Sequence, residues 1–308
     1  MIRAIDLFAG CGGTTTGAEQ TGAISVVWAA NHWPLAVEVH KANHPHVQHA
    51  CQDLNQANFA DVPAFDLLMA SPACQGHSRA RGKERPHHDG MRATAWAVVT
   101  AAEVRRPEAL VVENVPDFQR WALFPFWLSS LQALGYHLTV QTLNAAEWGV
   151  PQSRERLFVV GHRRRAIHIV SPNLPEVAAR TILGPDRIWS AVDKPGRSAR
   201  ILAQIERGRE VHGSDFLVAY YGSERHGRSL DKPLGTVVTN DRFAVVQGDR
   251  MGMLTAREYL LAQSFPADYR LPASHKDSVK VIGNAVPPRL ARGVLGQVAE
   301  AMGGRRAA

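Results

Sequence analysis

The chain has 308 residues, 45% of them hydrophobic, enough to bury a core in one large domain with an insertion or in two modest ones. Its 35 Lys and Arg against 28 Asp and Glu leave a formal charge of +7, which points to a polyanionic partner, nucleic acid first. Cys11, Cys51 and Cys74 are too few and too irregular for a disulfide framework or a CxxC site, and the 14 histidines lack spacing such as HExxH, so no metal is expected.

The amino terminus runs straight into a strand with no signal region, and no apolar stretch reaches membrane-spanning length, so a cytoplasmic protein is expected. From residue 1 to about 165, short apolar runs alternate with amphipathic stretches. That texture predicts an α/β fold with a doubly wound, mostly parallel sheet. Strands are predicted over 2–8, 24–30, 65–70, 109–113, 136–143 and 156–161, and helices over 34–43, 92–106 and 118–134. Pro107 closes the second helix and Gly135 caps the third. Beyond Arg163-Arg164-Arg165 the chain is rich in proline and arginine, with brief β-like runs at 216–221 and 236–239; helical patterning returns near Leu254 and at 288–302. The expected division is 1–165 for the larger domain, 166–250 for a smaller one, and 251–308 for a return segment completing the first.

The first strand ends in Asp6-Leu7-Phe8-Ala9-Gly10-Cys11-Gly12-Gly13, a turn whose glycines allow close approach of a ligand to backbone N–H groups at a helix start. Phe8 can stack on a flat base, and the phosphate-loop signature is absent, which favours a nucleoside-containing cofactor with a carboxylate tail over a triphosphate. The third strand exits into Ser71-Pro72-Ala73-Cys74-Gln75, placing a lone thiol at the carboxyl edge of the sheet, where open α/β sheets bind ligands. Glu113-Asn114-Val115-Pro116 leaves the next strand at the same edge. A thiol and a carboxyl in one pocket suit covalent addition to a heteroaromatic ring, the acid serving the ring nitrogen. Alternation puts Gln152, Arg154 and Arg156 on one face, two guanidiniums able to lower a thiol pKa or grip an oxyanion. The stretch 77–86 reads as a basic loop able to follow a phosphate backbone. Taken singly, each feature has a bland alternative: a packing turn, a buried apolar cysteine, a turn acid, a solvated charge run.

Their order is more specific. DLFAGCGG, SPACQGHS, ENV, QSRER, a variable basic segment, REYLLAQSFP and IGNAVPP follow one another along the whole chain, and the series resembles the bacterial and phage cytosine-5 DNA methyltransferase family. The resemblance implies the S-adenosylmethionine-dependent methyltransferase fold with a target-recognition domain, and methyl transfer to carbon 5 of a cytosine flipped out of duplex DNA. By similarity, Cys74 adds to carbon 6, Glu113 serves the ring nitrogen and exocyclic amine, and Arg154 and Arg156 orient the site. The same matches carry Phe8, Gly10, Gly12, His32, Trp33, Asp53, Asn284 and Val286 onto the cofactor pocket, and Gln75, Ser78, Arg79, Arg81 and Thr236 onto DNA. Two positions depart from the family: His32 stands where a glutamate usually grips the ribose, and Ala73 precedes the thiol in place of proline. The donor implied is therefore S-adenosyl-L-methionine or a modified form of it. Other implications are a monomer, a cognate restriction endonuclease as companion, and a nucleoid-associated place in a bacterial or phage-infected cell. A tRNA cytosine-5 methyltransferase and a non-catalytic DNA-binding relative are the competing readings.

Overall fold

The computed structural model describes residues 1–73, 93–220 and 225–303. Seven strands form the principal sheet: β1 (Ile2–Leu7), β2 (Ile24–Asn31), β3 (Gln48–Cys51), β4 (Leu67–Ala70), β5 (Ala109–Asn114), β6 (His137–Asn144) and β7 (Glu155–His162), ordered β3-β2-β1-β4-β5-β7-β6. β3, β2, β1, β4 and β5 are parallel to one another, and β7 runs antiparallel between β5 and β6. Side-chain alternation feeds two apolar layers, one per face. Ala4, Leu67, Met69, Ala109 and Val111 enter one; Ile5, Leu7, Leu68, Ala70, Leu110 and Val112 enter the other. The first layer is closed by α1 (Gly13–Glu19) and the chain's last helix, the second by α3 (Trp96–Arg105) and α4 (Phe124–Ala133). The remaining helix of this region, α2 (Pro34–Asn43), follows β2.

Two predicted helices are shorter than expected. In place of one helix over 118–134, a 3-10 turn (Pro116–Arg120) precedes α4. Pro125 explains the break, because proline fits the first turn of a helix but not its interior. The described part of the 92–106 helix opens as a 3-10 turn (Ala93–Ala95) and ends at Arg106, whose φ of 49° is left-handed.

A second, antiparallel sheet follows, ordered β10-β9-β11-β12-β8, from β8 (Ser190–Ala191), β9 (Asp215–Ala219), β10 (Arg228–Ser229), β11 (Phe243–Gln247) and β12 (Arg250–Met253). It packs against α5 (Ala199–His212), a polar helix unforeseen in the sequence. The β-like run expected at 236–239 is not a strand: an isolated bridge just before it pairs Leu234 with Gln152, and the backbone of Val237 is held by the side chains of Gln152 and Arg154. After α6 (Ala256–Ala262), whose Thr255–Glu258 capping box sets its start, α7 (His275–Asn284) packs against α6, and α8 (Pro288–Ala301) returns to the principal sheet. Leu290, Ala291, Val294, Leu295 and Val298 of α8 complete its first apolar layer. Among the described residues no helix is long and apolar enough to cross a membrane.

Candidate active site

β1 and β4 end level with one another, Leu7 beside Ala70, with Ser71 N–H donating to Leu7 O at 3.0 Å. Strand order diverges to either side of this pair, and such a switch point opens a crevice at the carboxyl ends of the strands. A cleft of about 320 Å³ lies there. Its walls are Phe8, Gly10 and Cys11 after β1, Asn31 to Pro34 at the end of β2, Ser71 to Ala73 after β4, Glu113 and Val115 around the end of β5, Arg154 and Arg156 around the start of β7, and Lys280, Val281, Gly283 and Asn284 from α7.

Glu113 and Arg156 meet because β7 starts, antiparallel, where β5 ends. Arg156 Nε lies 3.0 Å from Glu113 Oε1, and both side chains are largely buried. Burial pushes the Glu113 carboxyl above its usual range, against the pull of Arg156 and Arg154 and a hydrogen bond from Ser71. A mostly buried acid that holds its proton beyond the ordinary carboxylate range can deliver a proton to a heterocyclic nitrogen.

Arg154 lines the same cleft and bears on Glu113, and its guanidinium is also a clamp. It is 1% exposed; Nη1 donates to Val237 O at 2.7 Å, and Nη2 to Gly283 O and Ala285 O at 2.9 and 3.1 Å. Gln152 acts in parallel, accepting from Val237 N–H at 2.7 Å and donating to Gln263 Oε1 at 3.0 Å. Both side chains bind three distant segments together behind the cleft. Thr236, predicted to touch DNA, donates to Ser153 O at 3.0 Å on the same seam.

The cofactor candidates divide likewise. Phe8 adopts a left-handed φ of 59°, and a Cβ added to Gly10 would meet nothing within 4 Å, so the turn is open toward the cleft at that point. Trp33 lines the cleft with Lys280 Nζ 4.6 Å from its ring centroid, a cation–π contact. His32 is exposed at the rim, and Asn284 ends α7 facing the same space. Gly12, Asp53 and Val286 are not among the lining residues. Gly12 has φ of 97°, and a Cβ there would crowd Tyr269 and His44. Val286 is a core residue whose carbonyl would lie 2.1 Å from a Cβ on Gly13. Asp53 is exposed beyond β3, capping a short turn by accepting from Asn55 N–H at 3.0 Å.

Cys74, Gln75, Ser78, Arg79 and Arg81 lie outside the described residues. The backbone leading to the thiol is anchored: Asn114 Nδ2 donates to Pro72 O at 3.1 Å, and Ala73 N–H donates to Thr94 Oγ1 at 3.2 Å. Of the other thiols, Cys51 is exposed on β3, and Cys11 is buried with its pKa pushed up to about 12, a poor nucleophile.

Asp6, behind the turn, was not singled out by its sequence. It is fully buried and accepts from Thr15 Oγ1 at 2.8 Å; burial raises its pKa to about 7, against the Thr15 hydrogen bond. The folded chain therefore keeps this proton between 3.8 and about 7 while the unfolded chain releases it, so stability falls as pH rises across that window. Asp6→Asn is expected to flatten this loss, worth up to about 4 kcal/mol. Urea unfolding at pH 5 and pH 8 measures it; an unchanged difference between the two pH values in the variant would contradict the assignment.

The principal sheet, its switch-point cleft and the antiparallel seventh strand define a methyltransferase fold. Solved structures share it: a DNA modification methyltransferase encoded within a prophage (E. coli) superposes with TM-score 0.73 over 98% of this chain and 100% of that one at 19% identity, and the S. pombe Dnmt2 methyltransferase does so with TM-score 0.73 over the same shares at 17%. The family model described as C-5 cytosine-specific DNA methylase matches residues 2–183 and 187–300. The chain belongs to that family and is a DNA cytosine methyltransferase. Its relatives include the Type II methyltransferases M.NlaX of Neisseria lactamica, 26% identical over 98% of this chain and 97% of the relative, and M.HgiDI of Herpetosiphon aurantiacus, 27% identical over 94% and 92%.

Proposed function

We propose that this methyltransferase modifies carbon 5 of a cytosine flipped out of a short duplex DNA site, through a covalent bond from Cys74 to carbon 6. The observation that carries the reading is the convergence on one cleft of Glu113 with Arg156, the anchored Ala73 that precedes Cys74, and the Gly10, Trp33 and Asn284 walls. As the Cys74 sulfur bonds to carbon 6, Glu113 holds a proton at the ring nitrogen, and carbon 5 becomes nucleophilic. Arg156 positions the Glu113 carboxyl, and Arg154 keeps the cleft's back wall assembled. After methylation, loss of the carbon 5 proton re-forms the double bond and expels Cys74.

The donor fitting this cleft is S-adenosyl-L-methionine: Trp33 offers a ring for the adenine, and the open Gly10 turn and Asn284 offer room and polar contacts for the amino-acid end. When bound, it supplies an electrophilic methyl group. His32 at the rim would meet the ribose. Residues 166–250 would read the target; a hollow of about 900 Å³ there, lined by Lys194, Ser198 and Tyr220 among others, offers groups that bind phosphate or base edges. A companion restriction endonuclease would accompany such an activity. Incubation with S-adenosyl-L-methionine labelled in its methyl group should place label in duplex DNA, at 5-methylcytosine after digestion, and not in tRNA. Label in tRNA alone would overturn the choice of polymer.

A further inference from the structure

Four histidines that do not line the cleft gather around α1: His40 and His44 at the end of α2, His46 ahead of β3 and His49 within it. His44 Nε2 lies 3.1 Å from Thr16 Oγ1 and 3.3 Å from the Tyr269 hydroxyl. Each hydroxyl spends its one hydrogen on a carbonyl, Thr16 on Gly12 O at 2.7 Å and Tyr269 on Cys11 O. Carbonyl oxygens only accept, so Nε2 of His44 must be the nitrogen that carries a hydrogen. The other ring nitrogen, Nδ1, faces Glu19 Oε2 at 3.0 Å. A cation seated between them would be held by both. The second carboxylate oxygen of Glu19 is 2.6 Å from His46 Nε2, and the three donor groups have ligand atoms within 4.8 Å of one another.

We propose that Glu19, His44 and His46 form a binding site for a divalent transition-metal ion of the zinc class. Two imidazoles and one carboxylate are a donor set that such ions take, and roughly tetrahedral bonds of about 2.0–2.1 Å need only small side-chain rotations from these positions. Entry is open, since the His46 side chain is 58% exposed, and the buried ligand is already oriented by Thr16 and Tyr269. Those same two residues hold the carbonyls of Gly12 and Cys11, so an ion here braces the glycine-rich turn that forms one wall of the cleft. A proton on His44 is the rival occupant; the convergence of a second ring on the same carboxylate favours the metal.

The test is zinc binding by the full chain after chelator treatment, measured in competition with a chromophoric chelator. One saturable equivalent is expected, at least ten-fold weaker in His46→Ala and in Glu19→Gln but unchanged in His137→Ala, a change at an exposed histidine elsewhere. His46 is exposed enough for its variant to fold, and a rise of the wild-type unfolding midpoint with zinc, absent from His46→Ala, gives a second readout. No saturable equivalent, or equal binding by all four proteins, would overturn the proposal and leave His44 and Glu19 as a proton-mediated pair.

Discussion

Glu113→Gln is expected to lower kcat by on the order of 10²–10⁴, the range that a positioned general acid contributes, with a much smaller change in KM for DNA. The amide is nearly isosteric but has no proton to give to a ring nitrogen as charge develops there. The pH dependence carries the sharper expectation. Burial raises the Glu113 pKa and Arg156 opposes that rise from 3.0 Å, so the active, protonated carboxyl is present at lower pH and lost as pH climbs through the raised value. The wild-type rate should therefore fall on an alkaline limb that Glu113→Gln lacks. Arg156→Met removes the opposing charge and should move the limb to higher pH. Single-turnover rates across pH for the three proteins check this; a limb that survives in Glu113→Gln would assign it to another group.

Arg154→Ala is expected to cost about 4–6 kcal/mol, a large share of the roughly 5–15 kcal/mol that holds an ordinary domain folded. Hydrogen bonds from charged donors are worth roughly 1.5–3 kcal/mol each, and their loss strands buried carbonyls at Val237, Gly283 and Ala285. The loosened wall includes Gly283 and Asn284, so cofactor affinity should fall together with stability. Lysine at this position keeps the charge but not the planar fork, and should recover only part of the loss. Urea unfolding gives the comparison; an alanine variant within about 1 kcal/mol of wild type would show that the clamp is dispensable.

These two residues mark what was legible in the sequence. Glu113 could be placed because buried parallel strands read as continuous apolar runs, and the residue after the run falls at the sheet's working edge. Phe8, Ser71 and Ala73 were placed by the same logic. Arg154 shares a face with Arg156 on paper, but its role depends on carbonyls from residues 237, 283 and 285, which no local pattern brings near it. Gly12 and Val286 carry motif positions yet face inward, because the same turn that opens at Gly10 must pack against Tyr269 and the start of α8. Lys280 went unnoticed because its aromatic partner, Trp33, belongs to another end of the chain. The helix α5 was hidden by its polar, glycine-containing sequence, and its amphipathic face shows only against β9. Most instructive are the histidines: spread along a helix and the strand after it, they looked scattered, and tertiary folding turns His44 and His46 toward Glu19 and sets His44 against Thr16 beside the glycine-rich turn.

The central claim is that Cys74 forms a covalent bond to cytosine in the cleft shared with Glu113. Its most direct test is incubation of the enzyme and S-adenosyl-L-methionine with duplex DNA carrying 5-fluorocytosine at the target, where the fluorine blocks the last elimination and leaves the adduct in place. A denaturation-resistant protein–DNA complex is predicted for wild type, with the peptide containing Cys74 bearing the nucleotide, and none for Cys74→Ser. A complex of equal yield in Cys74→Ser, or a nucleotide attached to Cys11 or Cys51, would contradict the account.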